Sequence, residues 1–171
     1  MLVRLGCLVC LLSCFAVPPA AAEHPMERAT LKGIGAILVI IEEIEADVER
    51  AGLSNATLQT DVEVRLRQSG IRVISSSERN TVQGSYANLY VNVNVLHSSN
   101  CLSYVYSVRA EVTQPVLLER DHKIFTIAST WRATGSIATA GSARFATTAR
   151  EEVRDQIDQF INAFLAMNPK R

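Results

Sequence analysis

The chain has 171 residues, 17 basic and 17 acidic side chains, and is 48% apolar. That length allows one ordinary domain. The apolar content is too high for intrinsic disorder, and a formal charge of zero argues against a general nucleic-acid binder, which needs a basic surplus to neutralise phosphates.

Residues 1–22, MLVRLGCLVCLLSCFAVPPAAA, read as a secretory signal peptide. Arg4 gives the positive start, Leu5 to Ala16 the apolar stretch, Pro18 and Pro19 the break, and Ala20 to Ala22 the small residues before cleavage between Ala22 and Glu23. The apolar stretch is too short to cross a bilayer with ease and no later stretch approaches the length needed, so no integral membrane span is expected after processing. Leu11-Leu12-Ser13-Cys14 has features of a lipobox. Processing there would leave a short apolar core, and Leu12 is atypical at its position, which argues against a lipid anchor at Cys14. The expected location is periplasmic or secreted. Removing 1–22 takes Arg4 and three of the four cysteines, so the mature chain is net −1 and keeps only Cys101. Without an internal disulfide, its core must hold it together.

Residues 23–33 read as a flexible lead-in, and 34–168 as a single α+β domain. Gly35 to Ile44 is a β-branched run, apolar on both faces at its start, and predicts a central strand. After the short EADVERAGL stretch, Ser54 to Ser69 predicts a helix. Ser54 or Thr57 caps it, Leu58, Val62 and Leu66 recur at four-residue spacing, and Gly70 sits just past its end. Ile71 to Ser75 predicts a short strand, followed by a polar loop. From Leu89 to Val95 the period changes to two, with aliphatics on one face and Tyr90, Asn92 and Asn94 on the other. Leu102 to Val112 alternates again, with Tyr104, Tyr106, Val108, Ala110 and Val112 on one face and Ser107, Arg109 and Glu111 on the other. Pro115 cannot donate to a ladder and marks a bulge, bend or edge. Ile124 to Ala138 predicts one long strand with Trp131 at its middle. From about Ser142 to Met167, an apolar stripe through Ala149, Val153, Ile157, Phe160, Ile161, Phe164 and Leu165 predicts a helix that Asn168-Pro169 ends.

The order is β-α-β-β-β-β-α, a mixed and mainly antiparallel sheet with two helices packed on one face. The other face carries a polar band expected to meet water or a partner: Tyr90, Asn92, Asn94, Arg109, Glu111 and Arg132.

The chemistry-bearing residues make no catalytic constellation. His97 and Cys101 are four apart in one turn, but His122 belongs to the next turn, at the far end of the strands, so a closed metal site is not expected. Gly33-x-Gly35 precedes a strand, whereas pyrophosphate binding needs the glycines at a strand-to-helix turn. No G-x-S-x-G or Walker A motif occurs. Glu42 and Glu43 are neighbours on an extended strand and point to opposite faces. Glu151 and Glu152 complement the dipole at a helix start. Asn55-Ala56-Thr57 matches a glycosylation sequon, but the signal peptide reads as bacterial, so the match is taken as chance. No enzyme activity and no cofactor are expected.

SNATLQTDVEVRLRQSGIRV (54–73), NLYVNVNVL (88–96), YVYSVRAEV (104–112) and DQFINAFLAMNPK (158–170) resemble exported bacterial envelope proteins of uncharacterised function. In element order the chain is similar, more distantly, to small envelope lipoproteins that assist transport or lipopolysaccharide assembly. The resemblance implies helices against one face of a mixed sheet and transfers no catalytic residue.

The expectation is a non-enzymatic binding or adaptor module of the cell envelope, with an envelope protein or a second copy as partner. Two alternatives are a small-ligand carrier, with a pocket between the C-terminal helix and the sheet near Tyr104, Tyr106 and Trp131, and a structural homo-oligomer. An exposed Cys101 would link two chains in an oxidising compartment.

Overall fold

Alternating and helical periods resolve into one mixed six-stranded sheet and four helices, an α+β domain. The computed structural model describes residues 25–80, 82, 86–97, 103–135 and 137–169. The signal peptide, the Ala22–Glu23 cleavage site, Cys14 and Cys101 lie outside these residues. In chain order the elements are α1 (Pro25–Ala29), β1 (Ala36–Ile41), α2 (Ala46–Arg50), α3 (Asn55–Gln68), β2 (Val73–Ile74), β3 (Tyr86–His97), β4 (Ser103–Leu118), β5 (Asp121–Arg132), β6 (Ile137–Gly141) and α4 (Phe145–Met167). The sheet order is β2-β1-β3-β4-β5, and β6 also pairs with β4. β1 is parallel to β2 and β3, and the other pairs are antiparallel.

The long helices α3 and α4 cover one face. Leu58, Val62 and Leu66 of α3, with Val153, Ile157 and Phe160 of α4, bury themselves against Val39, Leu89, Val91, Val108, Ala110 and Val112. Ser54 caps α3 by accepting from the Thr57 N–H at 3.3 Å, and Gly70 follows the helix at φ +79°, a conformation that suits glycine. β1 is apolar on both faces because both are covered. Ile37 and Val39 meet the helices, while Ala36 and Leu38 pack with Ile74 and Val82 on the opposite side. Ser75 pins the covering segment by donating its N–H and its hydroxyl to the Glu78 carboxylate, both at 2.7 Å, which holds that carboxyl below its ordinary value.

Two sequence expectations change. The described part of the lead-in, residues 25–33, is packed onto the domain rather than loose. Leu31 is fully buried, the Thr30 hydroxyl donates to the Thr130 carbonyl at 3.2 Å, and Asn168 accepts from the Gly33 N–H at 2.8 Å while donating to the Leu31 carbonyl at 2.9 Å. A polar segment is held this way because its backbone supplies bonds that its side chains do not advertise.

The expected single strand from Ile124 to Ala138 is two strands in line, β5 and β6. β5 ends opposite Glu111 and β6 begins opposite Ser107. Between them one edge of β4 has no strand beside it. The Gln156 side chain fills the break: the Ala110 N–H donates to its Oε1 at 2.8 Å, and its Nε2 donates to the Val108 carbonyl at 2.9 Å. Gln156 is fully buried on the sheet-facing side of α4. The chain passes the break at Gly135, where a Cβ would sit 2.8 Å from the Val108 carbonyl oxygen, so only glycine fits without a shift.

Gln156→Leu therefore leaves two buried backbone groups unpaired. It is expected to cost about 3 kcal/mol in urea unfolding, at roughly 1–3 kcal/mol per orphaned group. Gln156→Glu keeps an acceptor for Ala110 and loses the donor for Val108. Burial favours its protonated form, which restores a donor, so its deficit is expected to be largest at high pH and to shrink as pH falls.

Candidate functional site: the open face of the sheet

Opposed residues on paired strands point to the same side. The register sets Tyr90 against Glu111, Asn92 against Arg109, Asn94 against Ser107, and Glu111 against Arg132. The six predicted residues, Tyr90, Asn92, Asn94, Arg109, Glu111 and Arg132, therefore form one band across β3, β4 and β5, on the face away from α3 and α4.

The band divides into two parts. Tyr90 and Asn92 are engaged with Glu42, just beyond β1. Asn92 donates its amide to that carboxylate and Asn94 donates to Asn92, leaving Asn92 only 8% exposed. The Tyr90 hydroxyl donates to the same carboxylate. That bond, and then partial burial, push the phenol above its ordinary value of 10.0. Arg109 and Arg132 are exposed and Glu111 is half-buried. Among the described residues, none of these three is within ion-pair distance of an opposite charge.

The same face carries apolar residues that the polar-band reading did not include. Nine large apolar side chains are exposed among the described residues, and six of them, Leu96, Val105, Leu117, Phe125, Ile127 and Ile137, project from this face. They form two groups. Leu96 opposes Val105, and Ile137 opposes Ser107, at one end. Leu117 opposes Phe125, and Pro115 opposes Ile127, at the other. A hollow of about 400 Å³ at the first end is bordered by Leu96, Val105 and Ile137 on the sheet and by Glu42, Glu43 and Glu45 beyond β1. At the second end, Phe125 stands 63% exposed on the β4–β5 hairpin. A signal for these residues was present. Val105 falls in phase with Ser107, Arg109 and Glu111, and carrying that phase past Pro115 reaches Leu117.

The pocket expected between the C-terminal helix and the sheet is filled by side chains. Tyr104 stacks on Phe145 with ring centroids 4.3 Å apart, Tyr106 meets Phe145 edge-on at 5.6 Å, and Trp131 meets Phe160 edge-on at 5.5 Å. Another cavity, of about 440 Å³, lies between α3 and α4. Two cross-helix ion pairs border it, Arg65–Asp158 at 2.5 Å and Arg150–Asp61 at 2.7 Å, so the nearest cations are already partnered.

Among the described residues no three His, Cys, Asp or Glu side chains gather as a metal-ligand set. No described helix is long and apolar enough to cross a membrane. No protein-family model matches the chain, and no curated protein matches it significantly.

Spectrophotometric titration of the tyrosines is expected to show one phenol ionising above its ordinary value. In Glu42→Gln that component moves down, because the acceptor loses its charge. Since the folded state favours the neutral phenol, the stability Tyr90 contributes is present below pH 10 and lost as pH rises through its folded value. An unchanged titration in Glu42→Gln would separate Tyr90 from Glu42.

Proposed function

We propose that this protein is a non-enzymatic protein-binding module, exported to the periplasm or outside the cell, that works through the open face of its sheet. The observation that carries this is the concentration of exposed apolar side chains on that one face, either side of a charged band. Scattered apolar residues on a surface need no partner, whereas a grouped set with a polar surround is the pattern of an interaction surface. Export rests on the sequence of residues 1–22, whose charge, apolar core and small residues suit a signal peptide. In an adaptor reading, Arg109, Glu111 and Arg132 select the partner by charge while the flanking apolar groups supply the affinity.

Photo-crosslinking in the producing cell tests the face without assuming its occupant. A crosslinking residue at Ile127 or Ile137 is expected to give a discrete protein adduct. The same residue at Arg154, on the exposed side of α4, is expected to give none. Equal labelling from all three positions, or none from the sheet, would remove the open face as the interface.

A further inference from the structure

We propose, resting on the open face as the interaction surface, that its occupant is a second copy of this chain, docked face to face about a two-fold axis that crosses β4 between Arg109 and Glu111. The pattern along β4 is self-complementary about that level. Toward one end stand Leu96, Val105 and Ile137, beside a hollow of about 400 Å³ that Glu42, Glu43 and Glu45 also line. Toward the other stand Leu117, Phe125 and Ile127. Between them stand Arg109 and Glu111, two opposite charges two residues apart on the same side of one strand, with Arg132 beside Glu111 on β5. A two-fold axis lying between the sheets and across the strands reverses each strand over its own copy. Arg109 then stands over Glu111 of the second copy, twice by symmetry, and each apolar end lies over the other copy's opposite apolar end.

The lateral order also matches. β5 and β6 are in line along the same edge of β4, so the Phe125–Ile127 column of one copy lies over the column that holds Ile137 in the other. Sheets that pack face to face interdigitate side chains across about 10 Å. From Val105 to Leu117 the strand extends roughly 40 Å at about 3.3 Å per residue, and three columns of strands are about 15 Å wide. That footprint, on the order of 600 Å² before the relief of the side chains is counted, reaches the lower range of stable interfaces. A flat apolar face would accept many partners. The paired charges at the centre select this register, because a slip of two residues along the strand sets Arg109 over Arg109 or Glu111 over Glu111.

Sedimentation equilibrium of the exported chain tests the proposal, with circular dichroism to confirm that each variant folds. The wild type is expected to be a dimer at micromolar concentration. Arg109→Glu and Glu111→Arg are each expected to weaken the dimer by about tenfold or more, and the double variant Arg109→Glu/Glu111→Arg to restore it to within about threefold. Phe125→Ser is expected to weaken it without altering the monomer's spectrum. A monomer at all concentrations, or a dimer indifferent to both charge reversals, overturns the proposal. The crosslinking probe at Ile127 separates the two levels. A monomer that still captures a different protein there removes self-association and keeps the face as an interface. A monomer that captures nothing removes both.

Discussion

The two hydrogen bonds of Gln156 close a break that the backbone cannot close for itself. β4 is 16 residues long, and on its β5/β6 edge neither strand covers the stretch around Val108 and Ala110. A buried amide or carbonyl without a partner costs about 1–3 kcal/mol, so a break in an interior ladder must be filled or the strands must realign. A glutamine carboxamide offers one acceptor and one donor side by side, as a peptide group does. Gln156 stands in for the missing strand at Ala110 and Val108, and the Ala133 N–H donates to the Ala110 carbonyl at 2.9 Å on the same edge. Because those bonds are short and directional, they also fix the height and rotation of α4 over the sheet. Phe145 then falls on Tyr104 and Tyr106, and Phe160 on Trp131.

The open face inherits its layout from that break. Arg132 is the last residue of β5 before it and Ile137 the first of β6 after it. The spacing between the charged band and the apolar group at Ile137 is thus set by the break that Gln156 fills. A continuous strand would have placed side chains across this column in regular alternation. The register of β5 also shifts between Val112 and Thr113 of β4. A bulge there adds local twist to the hairpin, while Gln114 bonds to the Thr30 carbonyl and the Thr130 hydroxyl on the helix side. The N-terminal segment thereby braces the base of the hairpin that carries Leu117 and Phe125.

Much of this was legible in the residues. The four-residue spacing of Leu58, Val62 and Leu66, the cap at Ser54 and the glycine at 70 mark α3 because each acts locally. The alternation through Tyr90, Asn92 and Asn94, and through Arg109 and Glu111, locates the polar band because a sheet face is read directly from a period of two. The divided strand was not legible, since Ile124 to Ala138 is continuous in β-compatible residues and its interruption is enforced from α4, some twenty residues later. Gln156 itself falls three after Val153 and four before Phe160, in phase with the apolar stripe. A polar residue in phase with a buried stripe is the available sign of an internal hydrogen-bond demand. The packing of residues 25–33 was hidden for a similar reason: it depends on backbone groups of Leu31 and Gly33 meeting Asn168, and composition carries no record of those bonds.

An exposed apolar face on a sheet with a free edge would ordinarily be an aggregation hazard. Here the edge and the face are defended differently. β5 is charged near its turn, at Asp121, His122 and Lys123, and near its base the Thr130 carbonyl accepts from Thr30. The face is interrupted by Arg109, Glu111 and Arg132, and a partner that buries the apolar ends must also meet those charges. Burying an unmatched charge costs more than one apolar contact returns. Nonspecific stacking is therefore penalised at the centre of the surface. The apolar ends can stay exposed because the charges between them restrict what may cover both at once.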